Sequence, residues 1–148
     1  MGGRRVKITA DTNVLLRTVV QDDLVQAASA AALLQRATVI AVPVPVLCEL
    51  AWVLKRTYAR GAEEVAAAIE AITEIDAVAT DLPAVEVGLA ALRAGGDFAD
   101  GVIAHQGENL GGSVFASFDR RAVAQLRSTG IAAADPSDLI EGGQQCQQ

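Results

Sequence analysis

An α/β fold with a parallel sheet covered by helices on both faces follows from three features of this sequence. Short apolar, β-branched runs alternate with longer stretches of helical periodicity, the chain order of strand–helix–strand units. The strand runs are apolar throughout rather than alternating, as strands covered on both faces are. With 29 Ala, 17 Val and only 3% aromatics in 148 residues, the composition suits helices packed on a small aliphatic sheet. A chain of this length makes one ordinary domain that buries about 70% of its unfolded surface.

The elements read in order as follows. Val6–Ala10 is a buried strand ending at Asp11, and Asn13–Val20 is a short helix. Asp22 or Asp23 caps a second helix that runs to about Ala37. Thr38–Val42 is the next strand, and Pro43 and Pro45 end it and open a third helix from Val46 to Ala59. Gly61 separates this from a fourth helix, Ala62–Ile75, and a short strand follows at Ala77–Ala79. Asp81 and Pro83 start a fifth helix that stops at Gly95-Gly96. Asp97–Asn109 is a sixth, closed by Gly111-Gly112. Ser113–Ser117 is a strand, Arg120–Ser128 a helix and Ile131–Ala134 the last strand. No repeat or long linker divides the chain, so residues 1–141 read as one domain and 142–148 as a frayed tail.

Composition excludes several classes. No run of 18 apolar residues is present, so a membrane span is not expected. The basic start is followed by Asp11 and Asn13, which interrupt a signal-peptide core. Cys48 in an apolar segment and Cys146 in a polar one make no disulfide scaffold, which points to a reducing cytoplasm. The net charge of −6 is unevenly spread. Residues 1–60 hold eight Lys/Arg against four Asp/Glu, while residues 61–148 hold four against fourteen. Such asymmetry reads as scattered solvated charge, as a basic face beside an acidic one, or as acids awaiting a cation.

The placement of acids carries the chemistry. In open α/β sheets, sites form beyond the carboxyl ends of the strands. Asp11 and Asp119 both follow strand patterns directly. Glu49 is the single acid within Val46–Leu54, a helix apolar nearly all round. It is therefore either a buried carboxylate needing a partner or metal, or an acid on an exposed stripe or bonded to an Arg. Asp97 and Asp100, three apart, share a helix face and repel each other without a cation. Asp97 reads equally as an N-cap after Gly95-Gly96, and so does Asp119 before Arg120. Asp100 precedes a core-facing run and has no capping role. Converging carboxylates suit Mg²⁺ or Mn²⁺, and the lack of a Cys/His cluster argues against zinc. His105 reads as a surface or packed helix residue. No P-loop, G-x-S-x-G or G-x-G-x-x-G pattern is present. The chemistry left is metal-activated water attacking a phosphodiester.

Four motifs carry a resemblance. Asp11-Thr12-Asn13-Val14-Leu15-Leu16-Arg17, Glu49-Leu50-Ala51-Trp52-Val53-Leu54, Asp97-Phe98-Ala99-Asp100-Gly101-Val102-Ile103-Ala104 and Ser117-Phe118-Asp119-Arg120-Arg121 resemble, in order and spacing, those of PIN-domain nucleases. The resemblance covers about residues 6–141, and the size and the Trp-Val-Leu variant look like the VapC-like toxins of type II toxin–antitoxin pairs. It implies a compact three-layer α/β/α sandwich with a central, mostly parallel sheet, and a metal-dependent endoribonuclease. Asp11, Glu49, Asp100 and Asp119 match the four acidic positions, with Asp97 assisting. Thr12, Asn13 and Ser117 match polar positions that hydrogen-bond the acids or a water. Two departures are Gly101, where Ala is usual, and His105, where a small residue is common. Gly101 is expected to loosen the helix holding Asp100 by up to about 1 kcal/mol. The partners implied are RNA, a cognate antitoxin that occludes the acidic pocket, and a second copy, in a homodimer and a toxin–antitoxin hetero-oligomer.

On this reading Asp11, Glu49, Asp100 and Asp119 hold Mg²⁺ or Mn²⁺. Glu49 is a candidate to orient or deprotonate the attacking water. Arg17, Lys55, Arg56, Arg60, Arg120 and Arg121 are candidates to grip RNA phosphates or ordinary solvated charges. No aromatic stacking platform is expected, which favours recognition of folded RNA by shape. Two rivals stand beside this reading. One is a non-catalytic PIN-like interaction module, which the intact acids oppose. The other is a different Mg-dependent phosphohydrolase with a nucleophilic leading Asp, which wants a second Asp where Asn13 stands.

Overall fold

A computed structural model describes residues 5–141, which divide into two compact units, one up to Leu82 and one from Pro83. The expected α/β class with parallel strands is observed. The first unit contains β1 (Val6–Thr9), α1 (Thr12–Val19), α2 (Leu24–Arg36), β2 (Ala37–Ala41), α3 (Val44–Arg56), α4 (Ala62–Thr73) and β3 (Val78–Ala79). Its strands form one parallel sheet in the order β1-β2-β3, with Ile8 opposite Ile40 and Ile40 opposite Val78. Backbone bonds from Ala10 N–H to the Ala41 carbonyl and from Val42 N–H to the Ala79 carbonyl, both 2.9 Å, carry the pairing to the carboxyl ends. Asp11 starts there. α1 packs on α2 and α3, and α3 on α4, around Leu15, Ile40, Leu47, Leu50, Leu54 and Ile69.

The second unit contains α5 (Leu82–Arg93), α6 (Phe98–Asn109), β4 (Phe115–Ala116), α7 (Arg120–Ser128), β5 (Ala133–Ala134) and α8 (Pro136–Glu141). α5 begins one residue before this unit does. β4 and β5 pair in parallel, and Ala91, Val123, Leu126 and Ala133 form a core flanked by Phe115 and Ile131.

The chain departs from the sequence expectations at several boundaries. α3 begins at Val44 because Pro43 takes the N-cap and Pro45 sits within the first turn, where its missing N–H costs no helical bond. It ends at Arg56 rather than Ala59, since Ala59 adopts φ 51°, which no helix continues. β4 and β5 are shorter than the apolar runs that predicted them, because only Phe115–Ala116 and Ala133–Ala134 find partners. α8 was not anticipated, although its start is written in Asp135-Pro136-Ser137. Asp135 accepts from Ser137 N–H at 2.9 Å and from its hydroxyl at 2.7 Å. The basic start at residues 1–4, the tail 142–148 and Cys146 lie outside the described residues.

Candidate active site

In the first unit, the turn from β1 into α1 sets up the acids. Asp11 is extended (φ −78°, ψ 158°) and caps α1, its Oδ1 accepting from Thr12 N–H at 2.7 Å. Thr12 is the only buried polar residue among those described, 4% exposed. Its hydroxyl donates to Glu49 Oε2 at 2.9 Å. One residue thus holds two acids, Asp11 by its backbone and Glu49 by its side chain. Of the two readings of Glu49, the exposed stripe is observed, and its partner is Thr12 rather than an Arg. α3 buries Val44, Leu47, Leu50, Ala51 and Leu54 and leaves Glu49, Trp52, Lys55 and Arg56 exposed. Asn13 is exposed and lines an apolar groove of about 270 Å³ with Val14, Val25 and Leu33.

In the second unit, three carboxylates interact. Asp119 is the N-cap of α7, its Oδ1 accepting from Arg121 N–H at 3.0 Å and Ala122 N–H at 3.1 Å. Ser117 supports that turn by accepting from Asp119 N–H at 3.0 Å. The capping role is therefore real for Asp119 and leaves its second oxygen free of the cap. Asp97 also occupies an N-cap position, before α6, but its side chain makes no capping bond. Capping does not account for it. Asp100 is half-buried, and its carboxyl is held above the ordinary range, first by burial and then by the like charges of Asp97 and Asp119.

The position of Asp100 depends on glycine. Gly101 is buried, and a Cβ there would lie 2.7 Å from the Val87 carbonyl oxygen, 2.8 Å from Ala91 Cβ and 3.0 Å from Gly88 Cα. At Gly88, a Cβ would lie 2.7 Å from the Phe98 ring. The two glycines let α5 and α6 cross at near backbone contact. The expected loosening at Gly101 is thus corrected: the residue is a packing requirement, and Ala would push the helices apart.

The cationic candidates divide. Arg17 donates to Asp22 and to Gln26, and Tyr58 donates to the other Asp22 oxygen at 2.8 Å. That network holds the Asp22 carboxyl below its ordinary range, chiefly through the Tyr58 hydrogen bond. Arg60 pairs with Glu64 at 3.2 Å. Arg17 and Arg60 thus have carboxylate partners, and Arg60, like Lys55, Arg56, Arg120 and Arg121, is exposed. His105 is half-buried on α6, 3.4 Å from Asn109 Nδ2. The sequence reading passed over two rings. Trp52 is 57% exposed and Phe118 is 80% exposed. The signal was present, since Trp52 stands one helical turn from Glu49 and Phe118 directly precedes Asp119.

The donor set is oxygen-only, which fits a hard dication. Among the described residues, no three His, Cys, Asp or Glu side chains are grouped so as to enclose a metal ion. Mg²⁺ asks for less, since one or two carboxylates plus waters complete its shell. The repulsion within Asp97, Asp100 and Asp119 is the kind that a dication relieves. No curated protein and no solved structure matches the chain. A PIN domain family model matches residues 8–127, a span that holds all four motifs. The chain belongs to the PIN domain family.

Proposed function

We propose that the protein is a metal-dependent endoribonuclease, the toxin of a toxin–antitoxin pair, with Asp11, Glu49, Asp100 and Asp119 as its metal-binding and catalytic acids. PIN domains are in general nucleases and typically use divalent metal ions. Mg²⁺ or Mn²⁺ is the cofactor that the oxygen donors favour. The observation that carries the reading is Asp100, a half-buried carboxyl held against two like charges with no hydrogen bond that explains its place.

Bound there, a divalent cation supplies positive charge beside the scissile phosphate and makes water more acidic. The chain's own groups do the rest. Thr12 turns Glu49 through its hydroxyl, leaving Oε1 to accept a proton from the attacking water. The α7 cap fixes Asp119, and the α5–α6 crossing fixes Asp100. Lys55, Arg56, Arg120 and Arg121 offer charge to RNA phosphates. The toxin assignment rests on the four motifs and on the Trp-Val-Leu variant of the second. With it come a cognate antitoxin, a homodimer, a hetero-oligomer and a cytoplasmic setting. No helix among the described residues is long and apolar enough to cross a membrane.

Two measurements test this. Purified protein is expected to cut RNA with Mg²⁺ or Mn²⁺ and to stop in EDTA, while leaving a small phosphomonoester intact. Full cleavage in excess EDTA refutes the metal mechanism. Expression without its partner is expected to arrest growth, and Asp11→Asn to relieve the arrest. Harmless overproduction in its own host removes the toxin assignment and leaves the nuclease standing.

A further inference from the structure

The corner between β5 and α8 leaves a cavity of about 380 Å³ against α7, within the range of small-molecule sites, about 300–1,000 Å³. Arg120, Val123, Ala124 and Arg127 line one side and share a face of α7, at the spacing i, i+3, i+4 and i+7. Val123 and Ala124 make the middle of that side apolar, and the two arginines bracket it, their backbones about 10 Å apart along the helix. Asp135, Ser137 and Asp138 line the other side. Arg127 Nε donates to the Ala133 carbonyl at 2.7 Å, which aims the guanidinium and leaves its two terminal nitrogens to donate elsewhere. One Asp135 oxygen accepts both bonds from Ser137. That carboxyl is held below its ordinary range, first by the Ser137 hydroxyl and least by the charge of Arg120. The Asp138 carboxylate accepts no hydrogen bond among the described residues. Two cations and two carboxylates thus line one cavity, yet no ion pair joins them.

This set selects its ligand. A phosphate there would face two carboxylates, and a metal ion would face two arginines. What suits both signs is a neutral, flat group with an acceptor edge for a guanidinium and a donor edge for a carboxylate. Among the RNA bases, guanine offers both in bidentate form. Its O6 and N7 accept a guanidinium fork, and its N1–H and N2–H donate side by side to one carboxylate. Adenine and cytosine each present a single amino group, and uracil a single N–H. We infer that this cavity is a guanine-reading site, with Arg127 on O6 and N7 and Asp138 on N1–H and N2–H, so that the chain cuts RNA beside a guanine whose Watson–Crick edge is free. This deepens the reading above and rests on it for RNA as the source of the base. Arg120 joins the site to the candidate acids, since it directly follows Asp119.

The probes are short oligouridylates carrying one guanosine, adenosine, inosine or 7-deazaguanosine at the same place, with GMP as a free competitor. Binding is read in EDTA, where no cleavage occurs, by the anisotropy of a labelled strand. The guanosine strand is expected to bind roughly 5- to 150-fold more tightly than the adenosine strand, the discrimination of one bidentate pair. Inosine lacks the N2 amine and 7-deazaguanosine lacks N7, so each is expected to lose about 2- to 13-fold, the worth of one hydrogen bond. Asp138→Asn is expected to abolish the difference between guanosine and inosine, and Arg127→Lys that between guanosine and 7-deazaguanosine. Glu141→Gln, the same loss of charge on α8 outside the cavity, is expected to keep the wild-type discrimination. Melting temperatures check that each variant folds. With Mg²⁺, cleavage is expected beside the guanosine. Equal binding of the guanosine and adenosine strands, or a guanosine–inosine difference that survives Asp138→Asn, overturns the inference while the nuclease stands. GMP that binds while the strands are not told apart also overturns it, by assigning the cavity to a free nucleotide. RNA left uncut with Mg²⁺ removes the nuclease reading, and a guanosine preference in EDTA then still upholds the site.

Discussion

The acids of the two units are held in opposite ways. In the first, Asp11 and Glu49 both accept hydrogen bonds from one buried residue, Thr12, and each stands exposed to water. In the second, Asp100 is half-buried beside the like charges of Asp97 and Asp119 and is shifted toward its protonated form. The first unit has its carboxylates satisfied by donors, whereas in the second Asp119 is satisfied by the α7 cap and Asp100 is held against repulsion by helix packing. Charge removal should therefore be neutral for stability at Glu49 and favourable at Asp100, although both changes should lose activity.

The largest expected effect tests that contrast. Asp100→Asn and Glu49→Gln should each lower RNA cleavage by roughly a thousandfold or more, as loss of a group acting within a catalytic unit does. Their stabilities should part. The folded chain keeps the Asp100 proton more readily than the unfolded chain does. As pH climbs through and above the ordinary carboxylate range, the unfolded chain loses that proton first and the metal-free fold weakens. Asn lacks this penalty, so melting temperature in EDTA should favour Asp100→Asn by a margin that opens with rising pH. Mg²⁺ should close the margin by stabilising only the wild type. Glu49→Gln keeps an acceptor for Thr12 and should melt with the wild type. Equal melting curves for Asp100→Asn and the wild type at neutral pH without metal would sink the contrast.

These two arrangements were not equally legible in the sequence. The start of β1, the Asp119 cap and the bounds of α7 follow from local chemistry, and they were readable because the residues that decide them are neighbours. Glu49 was ambiguous because Val46–Leu54 is apolar on every side, and a run with no polar face does not show which side meets solvent. Thr12 lies 37 residues from Glu49, so the hydroxyl that holds that carboxylate left no local trace. Gly101 was misread for the same reason. Its helix propensity is local and unfavourable, whereas the contact that demands it comes from Val87, Gly88 and Ala91 on another helix. Asp11, Glu49 and Asp100 stand out in the sequence because each breaks a local apolar pattern.

A middle-sized effect sharpens the second unit's side of the comparison. Gly101→Ala and Gly107→Ala make the same change on one helix. At Gly107 nothing lies within 4 Å of the added Cβ. There the helical gain of Ala over Gly should appear, about 0.5–1 kcal/mol. At Gly101 the added Cβ meets the Val87 carbonyl oxygen at 2.7 Å, and the helices must separate. Overpacking of that kind costs about 1–3 kcal/mol. Chemical denaturation should place the wild type between the two variants. A stabilised Gly101→Ala protein would mean that α5 and α6 do not meet as closely as described.

The smallest effect belongs to the first unit. Thr12→Val keeps the buried shape and removes the hydroxyl that reaches Glu49 at 2.9 Å. A hydrogen bond of this kind contributes about 0.5–1.5 kcal/mol net. The loss should fall at the lower end, because Glu49 is exposed and water replaces the donor, while Val fills the buried site without leaving a polar group unpaired. Asp11 should be untouched, since it accepts from the backbone N–H of residue 12, which Val retains. Activity should drop more than stability does, by roughly tenfold, because a freely rotating Glu49 spends less time aimed at the reacting water. Denaturant midpoints and cleavage rates measured on one preparation separate the two losses. A large fall in stability with cleavage unchanged would make Thr12 a core residue whose bond to Glu49 is incidental, and the two units would then differ only in burial.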